Sequence, residues 1–277
     1  MGKSSNIWSQ NKLDAKLKSE RGIGEFEKYK PYLKTQDFST RGISHRVRGN
    51  LINRMYEFFS STQYNAFLLI EDRALEKKSA IIDIREHFPL WDLKDLDVVD
   101  SSFKNIQLID KKSKIDFIFT TTFLLTYSNQ PSQYEAISVK YASDLIKQST
   151  LERLELERRY WQKIGVNWSL LTNKEIENQR GRLKNIKFYR PAFKLEEFGL
   201  TNISELEEMK KALIYKISNS EDSINHTLHH FEIQYEIDSN LSLLLFKNLL
   251  ARKEIAINYN RDIVMKNPCS DLFKLEE

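Results

Sequence analysis

Residues 115–172 constrain the fold more tightly than any other part of the chain. They read as strand, turn, strand, long amphipathic helix, strand. In "TTTFLLTYSNQPSQYEAISVK" (120–140) two apolar, β-branched runs flank the turn-rich "SNQPSQ", which predicts a hairpin with strands near 115–126 and 135–140. "STLERLELERRYWQKI" follows. On a wheel at about 100° per residue, Leu151, Leu154, Tyr160, Trp161 and Ile164 form one apolar arc, with Glu152, Glu155, Arg158 and Arg159 outside it. "VNWSLLT" then reads as another strand. Upstream, Tyr56, Phe59, Tyr64, Phe67 and Leu68 roughly follow the helical period, predicting a helix from about Arg54 to Ile70, and "AIIDI" predicts a strand over 80–84 that Pro89 bounds. The order helix, strand, hairpin, helix, strand implies an α/β core with a mixed sheet.

The flanks differ in texture. Residues 1–35 hold a weak helical stretch and a turn at Pro31; residues 36–50 are polar and glycine-punctuated, so loop is expected, and 91–113 are irregular. After about Thr172 short helices dominate. Ser204 and Glu207 stand in capping-box spacing. "DSNLSLLLFKNLLARKEIAINYNRDIV" predicts a capped helix and then a short β-ribbon, the way a winged helix-turn-helix ends. The expected division is a basic arm over 1–35, an α/β domain over 36–175 and a mostly helical domain over 176–277.

Charge supports the arm. Residues 1–60 carry 12 Lys/Arg against 6 Asp/Glu, whereas the other residues carry 31 against 33. A basic segment suits phosphate contact through counterion release; it equally suits a solvated terminus. One cysteine, Cys269, excludes an internal disulfide and a cysteine zinc cage. No run approaches the roughly 20 apolar residues of a membrane span, and "MGKSSNIWSQ" lacks the apolar stretch of a signal peptide, so a cytosolic protein without membrane contact is expected.

Two features carry chemistry. Glu157 falls inside the apolar arc of the long helix, where a carboxylate is costly to bury unless it is paired or binds a cation. The hairpin ends on Lys140, and the pleat turns Ser138 and Lys140 to one face. Two carboxylates on such strands plus a lysine hold a metal and a scissile phosphate in many nucleases; here the acid positions are Thr122 and Ser138. His226, His229 and His230 are close enough on one helix to suggest a metal site, although three surface histidines explain them as well.

"ISHRVRG", "IDIREHFPL", "AISVKYA", "TLERLELERRYWQKIGVNW" and "LTNKEI", in that order, resemble the TnsA endonuclease subunit family of Tn-seven-like transposases. The resemblance is dense over residues 20–180 and continues faintly to "NPCSDL". It implies a restriction-endonuclease-like domain followed by a mostly helical, winged-helix-like domain. It further implies magnesium-dependent nicking on the 5′ side of each transposon end, with DNA, a TnsB-like transposase and a TnsC-like ATPase as partners, in the bacterial cytoplasm. Carried over residue by residue, the family's helix glutamate falls on Gln63, its strand aspartate on Thr122 and its Gln-x-Lys on Ser138-Val139-Lys140. Its long-helix glutamate falls on Glu157. The two metal-binding acid positions, Gln63 and Thr122, are therefore neutral here. That implies weak or absent magnesium and impaired nicking; a non-catalytic scaffold joining TnsB, TnsC and DNA is the alternative. Natural divergence and deliberate inactivation both account for the two neutral residues, and Asp→Thr favours the former.

Overall fold

The computed structural model describes residues 9–273 except 38–41, 94–95, 104–105, 107, 111, 129–132, 256 and 260. By contacts the chain forms two units, one of residues 1–67 and 80–177, the other of 68–79 and 178–277.

In the first unit, helix α1 (Gln10–Lys18) precedes two antiparallel strands, β1 (His45–Arg48) and β2 (Met55–Phe58). Helix α2 (Ser61–Ala74) follows, its residues divided between the units, and then strands β3 (Ile81–Pro89), β4 (Thr120–Tyr127) and β5 (Tyr134–Lys140), helix α3 (Gln148–Lys163), strand β6 (Asn167–Thr172) and helix α4 (Asn173–Glu177). The second sheet runs β3-β4-β5-β6; its first two pairings are antiparallel and β5–β6 is parallel. The mixed α/β sheet is thus the expected one. A parallel neighbour needs a crossover, and α3 supplies it.

Both faces of this sheet are covered. On one, Leu124 and Ala136 pack with Leu156, Tyr160 and Trp161 of α3. On the other, Phe123 lies 6.0 Å from Phe58, and Phe58 5.0 Å from Phe67, ring centre to ring centre. The buried stripe of α3 is rotated from the expected arc. Leu151 and Ile164 are more than 40% exposed, while Leu156 and even Glu152 are buried.

Several expectations change. Residues 55–58 are strand, so the helix expected from Arg54 starts only at Ser61. The segment 36–50, read as loop, contains β1. Strand β3 runs on through Pro89, which pairs with Thr120. The tip of the hairpin, 129–132, lies outside the described residues. The N-terminal segment is not a solvated tail from about Arg21 onward: Tyr29 and Tyr32 are core side chains, and Tyr29 Oη donates to the Glu86 carbonyl at 3.0 Å.

The second unit is helical: α5 (Arg180–Tyr189), α6 (Ile203–Ser218), α7 (Ile224–Tyr235) and α8 (Ser239–Ala251). The cap expected at Asp238 forms, its carboxylate accepting from Asn240 N–H at 2.6 Å. The Ser204–Glu207 box does not form, because α6 already starts at Ile203 and puts Ser204 inside it. No strand ladder follows α8 among the described residues. There Tyr259 folds its hydroxyl back onto the carbonyls of Leu250 and Ile255.

Candidate active site

The hairpin brings four of the five expected residues into one neighbourhood. Glu157, on the buried face of α3, is 5% exposed. Ser138 Oγ, on β5, donates to its Oε2, and Thr121 Oγ1, on β4, donates to the same oxygen at 3.4 Å. Two indoles complete the relay. Trp161 Nε1 donates to Thr121 Oγ1 at 2.6 Å, and Trp168 Nε1 donates to Ser138 Oγ at 3.3 Å. Burial raises the Glu157 pKa; the Lys140 charge is the largest opposing influence, followed by the Ser138, Thr121 and Trp168 donors. Among the described residues no ion pair or hydrogen bond engages the Lys140 ammonium directly, so its influence on Glu157 is through space.

Thr122 is spent on the backbone. Its Oγ1 accepts the Val139 N–H at 3.0 Å, between Ser138 and Lys140 in sequence. The strands lose their alternation in this row. His87, between Glu86 and Phe88 on β3, has φ +51. Glu86 turns to Arg54, with Nη2–Oε2 at 2.5 Å, whereas Phe88 packs on Trp161 at 5.9 Å. Residues 86 and 88 would share a face in a regular pleat; the left-handed residue between them separates them. Phe123 and Thr121, the β4 partners of Glu86 and Phe88, part in the same way, Phe123 to Phe58 and Thr121 to Trp161.

Gln63 stands apart. Its Oε1 accepts the Phe59 N–H at 3.0 Å, and its own N–H donates to Ser60 Oγ at 3.2 Å, so it helps cap the start of α2. Among the described residues no hydrogen bond joins it to the other four. The connection is indirect: the Phe59 ring lies 4.6 Å from His87.

His87 is the residue that sequence reasoning missed. It is buried, its Nε2 lies 3.0 Å from the Glu57 carbonyl, and burial, opposed by Glu57 and aided by the Lys140 charge, brings its pKa down to about 4. The imidazole is therefore neutral at neutral pH, within reach of the Lys140 charge. Thr121 and Trp168 were missed too. Nothing in the local sequence marks them, because each reaches Glu157 or Ser138 only through a contact made across elements.

The donor set does not fit a hard dication such as magnesium, which takes carboxylate, carbonyl and water oxygens. The oxygens of Gln63 and Thr122 already accept main-chain N–H groups, and the one carboxylate, Glu157, is buried among hydroxyl donors. Glu71, two turns along from Gln63, is ion-paired to Arg190 at 2.8 Å.

A mixed sheet with a lysine ending the hairpin strand and a crossover helix packed behind it defines an α/β protein of the restriction-endonuclease-like class. Residues 78–173 match the TnsA-like endonuclease N-terminal family, and residues 175–259 match the TnsA endonuclease C-terminal family. The chain is also 30% identical over 274 residues to the transposon Tn7 transposition protein TnsA of Escherichia coli, covering 98% of this chain and 94% of that protein. It belongs to the TnsA family of transposition proteins.

Proposed function

We propose that this chain serves DNA transposition as the nuclease-fold subunit of a heteromeric transposase, in the bacterial cytoplasm, with its own 5′-strand nicking at transposon ends impaired. One observation carries the proposal. Gln63 and Thr122, which by the resemblance stand where the family has metal-binding acids, are neutral groups, and both are already bonded to backbone N–H. Lys140 remains as the contact for water or the scissile phosphate, with Ser138 beside it and Glu157 as its support. Magnesium then binds weakly or not at all. DNA, a TnsB-like transposase and a TnsC-like ATPase are the partners. In this reading the basic N-terminal residues and the mostly helical C-terminal domain both contact DNA. No helix among the described residues is long and apolar enough to cross a membrane.

The test is nicking of transposon-end DNA in the presence of the TnsB-like partner, across magnesium and manganese concentrations. One lost preorganised electrostatic group costs about 10²–10³ in rate. The double variant Gln63→Glu, Thr122→Asp is expected to nick at least about 10²-fold faster than the parent chain. An unchanged rate in a variant that folds and still assembles sinks the site assignment. The second reading, a non-catalytic scaffold bridging TnsB, TnsC and DNA, draws on the same spent oxygens. Assembly of the complex without cleavage at any metal concentration selects it, and movement then yields joined replicons instead of clean excision.

A further inference from the structure

Helix α7 carries three histidines, and the structure divides them. His229 Nδ1 lies 3.3 Å from Glu232 Oε2. His226 and His230, one turn apart, instead meet edge to face with ring centres 4.4 Å apart. Asp222, four residues before His226, places Oδ2 3.2 Å from His226 Nδ1. One ligating atom from each of Asp222, His226 and His230 lies within 4.8 Å of the others, and all three side chains are exposed.

Among the described residues, the bonds that hold these groups in position leave the ligating atoms of His230 and one Asp222 oxygen unused. Ser223 caps α7, its Oγ accepting the His226 N–H at 3.3 Å. The Asp222 carbonyl accepts the Cys269 N–H at 2.8 Å, and the Asp222 N–H donates to Ser220 Oγ at 3.2 Å. Carboxylate and imidazoles thus project along one side of a capped helix start. Ligands of a tetrahedral zinc ion at about 2.0–2.1 Å stand about 3.3 Å apart, so closure needs only rotamer shifts of exposed side chains. The positive end of the helix dipole opposes a cation here, and the Asp222 charge offsets it.

We propose that Asp222, His226 and His230 form a surface site for a borderline divalent ion of the zinc class. Two imidazoles and one carboxylate suit zinc, cobalt or nickel, whereas magnesium takes hard oxygens. Three protein ligands leave the fourth tetrahedral position to solvent or to a group from a partner. The site shares no residue with the hairpin and does not depend on its reading as a cutting centre. Among the described residues, it is the one group of three or more His, Cys, Asp or Glu side chains placed to hold a metal.

The test titrates the full chain, stripped with chelator, with cobalt(II) in a large excess of magnesium. Visible absorption reports imidazole coordination, and zinc is then used to displace the cobalt. One equivalent is expected to bind. His226→Ala and His230→Ala should each weaken binding about tenfold or more, Asp222→Asn should weaken it as well, and His229→Ala should leave it within about twofold. Because the replaced side chains are exposed, the variants should melt with the parent chain, and a melt on each one checks this. No cobalt spectrum at millimolar metal, an equal loss in His229→Ala, or parental affinity in a His226→Ala, His230→Ala double variant overturns the proposal.

Discussion

Glu157 and His87 both feel the Lys140 charge, and burial pushes both towards neutrality, the acid's pKa up and the imidazole's down to about 4. The signs for stability follow. In the window between about 6.5 and about 4 the unfolded His87 binds a proton that the folded one refuses, so stability falls as pH falls through it, by about 3 kcal/mol in all. Glu157 works the other way, since an acid with a raised folded pKa gains stability as pH falls through that value. Replacing His87 isolates its share. His87→Gln, which keeps a donor and cannot titrate, is expected to flatten the acid side of the stability profile, measured by urea unfolding at a series of pH values. A slope unchanged from the parent would show that His87 is not held neutral. Glu157 was legible in the sequence because a charge in an apolar helical stripe stands out on a wheel. His87 was not, because its place depends on a left-handed residue inside a strand, which no periodicity reveals.

At the scale of elements, the hairpin, α3 and β6 were readable in type and order from their apolar runs and turn residues, although β4 starts only at Thr120 and the buried stripe of α3 is rotated from the expected arc. Residues 54–60 were not. Tyr56, Phe59 and Tyr64 mimic a helical period, yet Met55–Phe58 pairs with His45–Arg48, a partner about ten residues back in a stretch that reads as loop. Pairing with a partner strand outweighs weak local propensity. The connection between these strands is tight. The Gly49 N–H donates to the Arg54 carbonyl at 2.9 Å, and a Cβ on Gly49 would stand 2.4 Å from the Ile52 carbonyl oxygen and 2.5 Å from the Tyr56 ring. Gly49→Ala is therefore expected to destabilise the first unit by about 1–3 kcal/mol. Chemical denaturation checks this; a stability within error of the parent means the turn relaxes freely.

At the scale of the whole chain, the second unit gathers residues far apart in sequence around one buried carboxylate. Asp72 pairs with Arg182 at 2.7 Å and with Lys253 at 2.5 Å, and Tyr189 Oη donates to it at 2.6 Å. Burial lowers the Lys253 pKa, and Asp72 opposes that. Removing the acid leaves Lys253 buried without its carboxylate, so Asp72→Ala is expected to cost about 3–5 kcal/mol, read from the denaturation midpoint. A loss below about 1 kcal/mol would mean that the cations escape to water. This network explains why residues 68–79 group with the C-terminal region, which no boundary signal in the sequence suggests.

Periodicity, turn chemistry and ordered motifs alone determined the family, the mixed α/β sheet, the long helix with its misplaced acid and the neutral residues at 63 and 122. These are properties of neighbours along the chain or of a pattern kept in order. Only the tertiary structure decided that Thr122 spends its oxygen on Val139, that Gln63 caps its own helix, that His87 is buried against the Glu57 carbonyl, and that Asp222 rather than His229 groups with the histidine pair. Each of these depends on where a side chain points once distant segments have packed, and a one-dimensional pattern does not contain that information.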